Sequence, residues 1–184
     1  MTIEIINTGS ELLNGSVLNT HQQWLCNKLY GLGYRVSRQI TVPDTAEDIK
    51  TAALDSVNRA DVIIITGGLG PTSDDETRDV IAEMFGRKLV YDKNVADQIK
   101  DYFALRKREQ PESTKIQAYV PEGAVVLPNQ FGTAPGIVIE TMVKTAQQPR
   151  KVLLIMLPGP PRELYPMFEN QVIPLLKEKV PLPN

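Results

Sequence analysis

The sequence has very little of the residue types that most often build disulfides, zinc sites and hydrolytic triads. Among its 184 residues there is one cysteine, Cys26, and one histidine, His21. A single cysteine excludes an intrachain disulfide, and a single histidine excludes a His-rich zinc site and argues against a Ser-His-Asp triad. Any chemistry must therefore come from carboxylates, a metal ion or backbone amides.

Further absences bear on compartment and partners. No run of 18 apolar residues is present, and the N-terminal segment lacks the basic region and extended apolar stretch of a signal peptide. The formal net charge is -2, without the basic excess typical of nucleic-acid binders. Hydrophobic residues make up 42% and charged residues 23%, as in globular domains. We therefore predict a cytoplasmic protein that binds neither membranes nor nucleic acids.

Strand and helix patterns alternate along the chain, which predicts an α/β domain with a mostly parallel sheet. Strands are predicted over residues 2–7, 34–42, 61–66, 116–120, 124–127, 137–140 and 151–157. Helices are predicted over 18–32, 46–60 after the cap Thr45, 76–85, 94–108 and 164–179, the last bent near Pro174. We expect one domain over 1–180, a mobile surface loop at 109–114 and a short tail at 181–184.

Three unusual loops fall where predicted strands end. They span residues 9–15, 67–75 and 158–163. In open α/β sheets, ligands bind beyond the carboxyl ends of the strands, so this coincidence predicts a ligand site. The loop GGLGPTSDD lets the backbone approach a ligand closely, and the helix after it presents an anion-attracting N-terminus. It is neither a P-loop nor a dinucleotide fingerprint, because GxxxxGK[ST] and GxGxxG are both missing.

The predicted ligand- or phosphate-binding positions are mostly glycine, proline and hydroxyl residues. They are Gly9, Ser10, Gly67, Gly68, Gly70, Pro71, Thr72, Ser73, Gly132, Thr133, Ala134, Pro135, Gly136, Pro158, Gly159 and Pro160. The loop 132–136 has the same backbone freedom as 67–70, although a tight turn between strands explains it equally well. The prolines of the last loop stiffen it, which favours a fixed binding wall.

Acidic residues in these loops are the candidate catalytic and metal-binding groups. Asp74 and Asp75 would repel a phosphate unless a cation bridged them, and oxygen ligands suit Mg²⁺ or Mn²⁺; alternatively, one of them caps the next helix. Asp44 is a turn residue or a second acidic group of the site, and Glu11 is solvated or part of it. Lys115 contacts phosphate or is simply solvated. We predict Asp75, Asp44, Glu11 and Lys115 as catalytic, and Asp75, Asp44 and Asp74 as metal ligands.

Five segments together resemble one protein family: TGSELLNGSVLNT, VPD, GGLGPTSDDETRD, PNQFGTAPG and MLPGPPREL. In this order they are similar to the N-terminal domain of the competence/damage-inducible CinA family, whose fold is similar to the molybdopterin-binding fold of MogA, MoaB, gephyrin and MoeA. The resemblance covers residues 2–177 and implies a three-layer α/β/α sandwich that forms dimers or trimers. Full-length CinA proteins usually continue into an amidase domain; this chain stops first, so we expect no deamidation.

The resemblance also implies functions. Some CinA-type domains are metal-dependent ADP-ribose pyrophosphatases, which implies a divalent Mg, Mn or Co cofactor and site roles for Glu11, Asp75 and Lys115. In molybdopterin adenylyltransferases, the matching aspartates are Asp75 and Asp44. Three hypotheses follow: metal-dependent hydrolysis of a nucleotide diphosphate linkage, with ADP-ribose the leading substrate; binding or adenylation of molybdopterin; and a non-catalytic nucleotide-binding regulatory module. We expect the first.

Overall fold

The computed structural model describes residues 1–144 and 149–182 and places most strands in one sheet. In chain order the strands are β1 (Ile3–Thr8), β2 (Val36–Val42), β3 (Val62–Thr66), β4 (Leu89–Tyr91), β5 (Tyr119–Pro121), β6 (Val125–Leu127), β7 (Gly136–Val143) and β8 (Arg150–Leu157). The large sheet has the order β2-β1-β3-β8-β7-β6. Its first four strands are parallel to one another, whereas β7 pairs antiparallel with β8 and β6 pairs antiparallel with β7. The predicted mostly parallel sheet is confirmed.

Helices cover both faces of this sheet. They are α1 (Ser10–Leu13), α2 (Thr20–Gly31), α3 (Ala46–Val57), α4 (Thr77–Met84), α5 (Lys93–Leu105), α6 (Pro161–Met167) and α7 (Ile173–Lys179). One core contains side chains of α3, α4 and α5, among them Ala53, Ile81 and Ile99. The opposite core contains side chains of α2, α6 and α7, among them Leu25 and Leu176. This arrangement confirms the three-layer sandwich.

Polar side chains cap the starts of three helices, α2, α3 and α5. The side chain of Thr45 accepts a hydrogen bond from Asp48 N, as predicted for the start of α3. Asn19 caps α2 in the same way, and Asp92 caps α5. These caps shift the observed starts of α2 and α5 by one or two residues from the predicted ones. Within the described parts of the chain, no helix is long and apolar enough to cross a membrane.

The three central strands β1, β3 and β8 are buried because both of their faces are covered. Every residue of β1 and β3 is buried. Their parallel register aligns Asn7 with Thr66 and Thr66 with Leu157. The three strands therefore end at the same level, and the loops that follow them leave the sheet together at its carboxyl edge.

The prediction of a strand over residues 116–120 is wrong in its first half. A 3-10 helix spans Glu112–Ala118, and only the short strand β5 follows it. Thr114 explains the turn, because its backbone N and its hydroxyl both donate to Pro111 O. The strand β4 was not predicted; it pairs with β5 in a two-stranded antiparallel sheet apart from the main one. The expected mobility of loop 109–114 remains a prediction, and its last three residues belong to the 3-10 helix.

The final helix begins earlier than predicted and changes its pitch. It starts at Pro161 rather than Leu164, and a π-helical turn over Phe168–Val172 separates α6 from α7. Pro174 has no N–H to donate to the carbonyl four residues earlier, which is consistent with the wider turn directly before it. The predicted irregularity near Pro174 is therefore present, as a π turn.

The buried central strands should dominate the stability of the domain. We expect Ile64→Ala, in the fully buried middle of β3, to lower the free energy of unfolding by about 2–5 kcal/mol, because it leaves a cavity that neighbouring strands cannot fill. Leu18→Ala is the control, since Leu18 is 83% exposed and its truncation should change the value by less than about 0.5 kcal/mol. Urea denaturation of both variants measures the free energy of unfolding. An equal decrease in the two variants would contradict the expectation.

Candidate functional site

A cavity of about 470 Å³ opens at the carboxyl edge of the sheet. All three loops singled out in the sequence line it, together with the turn after β2 and part of loop 132–136. The predicted site residues that line it are Gly9, Glu11, Asp44, Gly67, Gly68, Gly70, Pro71, Thr72, Asp74, Asp75, Thr133, Ala134, Pro158, Gly159 and Pro160. Segments more than 100 residues apart in the sequence are thus brought to one concave surface, as expected for a ligand site in an open α/β sheet.

The remaining predicted residues do not line the cavity. Ser10 contacts the lining residue Asp44 and donates both its N–H and its hydroxyl to Asp44 Oδ1. Ser73 donates its hydroxyl to Asp74. Lys115 is 60% exposed and forms an ion pair with Glu112 at 2.8 Å. Gly132, Pro135 and Gly136 belong to the same loop as Thr133 and Ala134 but are not among the lining residues.

Four lining residues were not named as site residues: Thr8, Leu69, Gln117 and Glu163, although Leu69 and Glu163 lie in the predicted loops 67–75 and 158–163. Gln117, rather than Lys115 two positions earlier, reaches the cavity; its amide nitrogen donates to Leu69 O at 3.0 Å. Within the described residues its buried Oε1 has no hydrogen-bond partner. Glu163 is the last residue of the predicted loop 158–163, and this position was the signal in the sequence that could have identified it.

The glycines of the site make room for carboxylates. A Cβ atom at Gly70 would lie 2.4 Å from Asp75 Oδ2, and one at Gly132 would lie 1.9 Å from Glu163 Oε2. A Cβ at Gly9 would lie 2.7 Å from a carboxylate oxygen of Glu11. At each of these positions a side chain larger than that of glycine would force the carboxylate to shift. Each acidic side chain therefore packs directly against the backbone of a glycine in the same group of loops.

Gly67 and Gly68 form the sharp exit from β3. Their φ angles are 96° and 67°, in the region that glycine adopts without strain. A Cβ at Gly68 would lie 2.1 Å from Thr77 Oγ1, so the turn and the start of α4 are in close contact. The alternative that Asp74 or Asp75 caps α4 is wrong, because the N-cap residue is Glu76 and no side chain makes the capping bond.

Local hydrogen bonds hold the aspartates at the opening. Asp75 Oδ2 accepts from Thr72 N at 3.0 Å and from the Thr72 hydroxyl. The hydrogen bond from the Ser10 hydroxyl is the main reason why the pKa of Asp44 is lowered from its ordinary value. Asp44 therefore carries its negative charge at neutral pH, at the edge of the cavity.

Glu163 has the opposite electrostatic environment. It is 6% exposed, and burial raises the pKa of its carboxyl group above the ordinary value for glutamate, against smaller lowering effects of Asn129 and Arg162. The cavity lining thus contains two contrasting carboxylates: Asp44, which is held charged, and Glu163, which is buried and harder to ionise.

Comparison with known proteins identifies the class. Residues 4–178 match the family model described as "Probable molybdopterin binding domain", and the chain belongs to that family. Within it, the predicted resemblance to CinA proteins is confirmed. The chain is 46% identical over 184 residues to the "Putative competence-damage inducible protein" of Caldicellulosiruptor saccharolyticus, covering 98% of this chain and 43% of that protein. It is 47% identical over 176 residues to the "CinA-like protein" of Kosmotoga olearia, covering 96% and 41%.

Solved structures agree with this assignment. The CinA protein "with unknown function" from Thermoplasma acidophilum matches with a TM-score of 0.80 and 27% identity, covering 95% of this chain and 97% of that one. The molybdopterin biosynthesis enzyme MoaB of Thermus thermophilus matches with a TM-score of 0.60 at 20% identity, covering 96% and 92%, which shows the shared fold. The chain spans about two fifths of the length of the curated relatives it matches.

The glycine–carboxylate packing can be tested on Gly70. We expect Gly70→Ala to lower the free energy of unfolding by about 1–3 kcal/mol, because the new Cβ overlaps the Asp75 carboxylate. In an Asp75→Ala background the same change should cost less than half as much, since the overlapping group is gone. Urea denaturation of wild type, the two single variants and the double variant gives the coupling free energy between the two positions. Gly31→Ala is the matched control, because nothing lies within 4 Å of its Cβ position; an equal Gly70 cost in both backgrounds would disprove the packing.

The hydrogen bond from Ser10 to Asp44 allows a second prediction about the site. Ser10→Ala removes the hydroxyl donor, so we expect the pKa of Asp44 to rise toward its ordinary value. A lowered folded-state pKa stabilises the fold above the unfolded pKa, and this contribution is lost as pH falls through the folded pKa. Carboxyl ¹³C NMR titration measures the pKa directly. Ser16→Ala is the control, since Ser16 bonds Asn14 and Glu11 O instead; an unchanged Asp44 pKa in Ser10→Ala would refute the assignment.

Proposed function

We propose that the cavity binds a nucleotide with a diphosphate linkage and that the protein hydrolyses that linkage with a divalent metal ion, ADP-ribose being the leading substrate. The observation that carries this proposal is the placement of Asp44 and Asp75 beside a glycine-lined cavity at the ends of the central strands. A site of this volume has room for a nucleotide-sized ligand.

The acidic lining supports the need for a cation. Glu11, Asp44, Asp74 and Asp75 all line the cavity, and a phosphate ligand among them would be repelled. A cation between carboxylates and phosphate removes this repulsion. The glycine-rich loop meanwhile lets the ligand approach the backbone closely.

The donor set fits a metal ion that the ligand helps to hold. In residues 1–144 and 149–182, no group of three or more His, Cys, Asp or Glu side chains is arranged to hold a metal ion alone. Magnesium in phosphate-processing sites is typically bound by one or two carboxylates plus phosphate oxygens and water. Asp75 and Asp44 would supply those carboxylates, and each still has an oxygen that is not the acceptor of its local hydrogen bonds.

The chemistry would follow from these parts. When bound, the ion would offset charge on the phosphoryl oxygens and lower the pKa of a coordinated water. Water would add to one phosphorus atom as its bond to the bridging oxygen breaks, giving AMP and ribose 5-phosphate from ADP-ribose. Lys115 has no part in this proposal, because its ammonium group is paired with Glu112 on the surface.

A pterin ligand is the second candidate. The description of the matching family model favours it, since molybdopterin also carries a phosphate and a fused-ring base. In that case the same loops would bind the pterin phosphate. Turnover of a nucleotide diphosphate would then be absent, which separates the two candidates experimentally.

The test is metal-dependent release of AMP. We expect the protein to convert ADP-ribose to AMP with Mg²⁺, Mn²⁺ or Co²⁺ and not with EDTA. Chromatography measures the AMP that is released. Asp75→Asn should lower the rate roughly 100-fold or more, because it keeps the shape of the side chain but removes the metal-binding charge. Asp97→Asn is the matched control, since Asp97 is exposed on α5 and pairs with Lys93.

Negative outcomes are informative here. Absence of AMP with every metal would reject ADP-ribose hydrolysis. Calorimetric titration with a pterin phosphate and with ADP-ribose would then separate a pterin site from a nucleotide-binding regulatory module without turnover. Equal loss of activity in Asp97→Asn and Asp75→Asn would indicate a general effect of charge rather than a metal-binding role.

A further inference from the structure

Glu163 is a buried carboxylate at the cavity wall that the proposed metal-binding role does not use. It belongs to the first turn of α6, where its backbone N donates to Pro160 O at 2.9 Å. Its Oε2 atom accepts from Asn129 Nδ2 at 2.8 Å. Its Oε1 atom accepts no hydrogen bond at normal distance and forms only a long ion pair, at 3.6 Å, with Nε of the exposed Arg162. One oxygen is thus anchored, and the other keeps its capacity to accept a proton.

The surroundings hold this side chain in place. Gly132 packs directly against the carboxylate, since a Cβ there would overlap Oε2. Asn129 Nδ2 also donates to Ala134 O at 2.8 Å, so the same amide ties the carboxylate to the loop that forms the wall. The position of Glu163 is therefore fixed by contacts from two positions, Asn129 and Gly132, of one loop.

The protein itself contains a contrasting buried glutamate. Glu4 is 3% exposed, and both of its oxygens are bonded: Oε1 to Arg59 Nε at 2.6 Å, and Oε2 to Ser56 Oγ at 2.7 Å and Arg59 NH2 at 3.1 Å. A buried carboxylate with a purely structural role is satisfied in this way. Glu163 differs because its Oε1 has only the long ion pair with the exposed Arg162 and because it lines a cavity.

The charges around Glu163 determine its basicity. Burial raises its pKa, and the neighbouring Arg162 lowers it by a smaller amount. The other charged groups that line the cavity, namely Glu11, Asp44, Asp74 and Asp75, are acidic. The loop 128–136 packed against Glu163 contains no charged residue. A carboxylate in this setting is a better proton acceptor than one held charged by donors, such as Asp44.

We propose that Glu163 is the general base of the site: its Oε1 atom accepts a proton from the water that attacks phosphorus. The new bond joins the water oxygen to phosphorus, the bond from phosphorus to the bridging oxygen breaks, and the leaving phosphate keeps that electron pair. The protonated Glu163 then returns its proton to the solvent. This assignment rests on the proposed hydrolytic function.

The test compares Glu163→Gln with wild type, using ADP-ribose and the best metal. Glutamine keeps the size of the side chain and an oxygen for Asn129, but it cannot accept the proton. We expect kcat to fall roughly 100-fold or more, with KM changed less than about threefold, since general bases contribute about 10²–10⁴-fold. The wild-type rate should rise with pH on an acidic limb, and this limb should be absent in Glu163→Gln.

Two further variants complete the design. Glu163→Asp keeps a carboxylate but withdraws it from the cavity, so kcat should fall less than in Glu163→Gln and the acidic limb should remain. Glu169→Gln is the matched control, because Glu169 lies in the same helical segment and pairs with Lys28 away from the cavity. Circular dichroism confirms folding of each variant; if Glu163→Gln does not fold, the pH profile of Glu163→Asp decides.

The outcomes separate this assignment from the proposed function. A wild-type protein without AMP release under any metal rejects both. An active wild type with Glu163→Gln within about threefold in kcat, or with its acidic limb intact, rejects only the role of Glu163. A rise in KM at unchanged kcat also overturns it, since that result indicates ground-state binding rather than proton transfer.

Discussion

The parallel pairing of β1, β3 and β8 is the constraint on which the rest of the structure depends. Because Asn7, Thr66 and Leu157 lie side by side, the chain leaves the sheet three times at one level. Gly67 N donates to Leu157 O at 3.0 Å, which extends the ladder of β3 and β8 into the loops. The cavity is the space between these exits. Without this shared register the three loops would have no common surface.

Glycine–carboxylate contacts then determine the chemistry that this space can support. Gly70 and Gly132 leave room that the carboxylates of Asp75 and Glu163 occupy. The acids are therefore positioned by close packing against the backbone together with hydrogen bonds from Thr72 and Asn129. Their surroundings differ: Asp44 is stabilised as an anion by Ser10, whereas burial opposes the ionisation of Glu163. Sites that handle protons commonly combine acids whose pKa values are shifted in opposite directions.

Much of the site was predictable because glycine-rich loops at strand ends are local features. The segment GGLGPTSDD follows a continuous apolar strand, and its position at the cavity follows from the parallel sheet alone. Lys115 illustrates the limit. Lys115 lies in the polar segment directly before the predicted strand 116–120, and Gln117 lies within that strand. The 3-10 helix that forms there places Gln117 at the cavity and Lys115 on the surface. The error in secondary structure therefore concealed the residue of this segment that lines the cavity.

The sequence by itself determined the α/β class, the parallel central strands, the family and the loops that border the cavity, because apolar runs, caps and turn residues act over a few positions. Only the tertiary structure decided which acids share the cavity and in which direction their pKa values are shifted. Glu163 and Gly132 are 31 positions apart, and Ser10 and Asp44 are 34 apart. A contact between such residues, and the burial that alters a pKa, depends on how β1 pairs with β2 and how β7 pairs with β8. No local sequence pattern encodes a contact between residues so far apart in the chain.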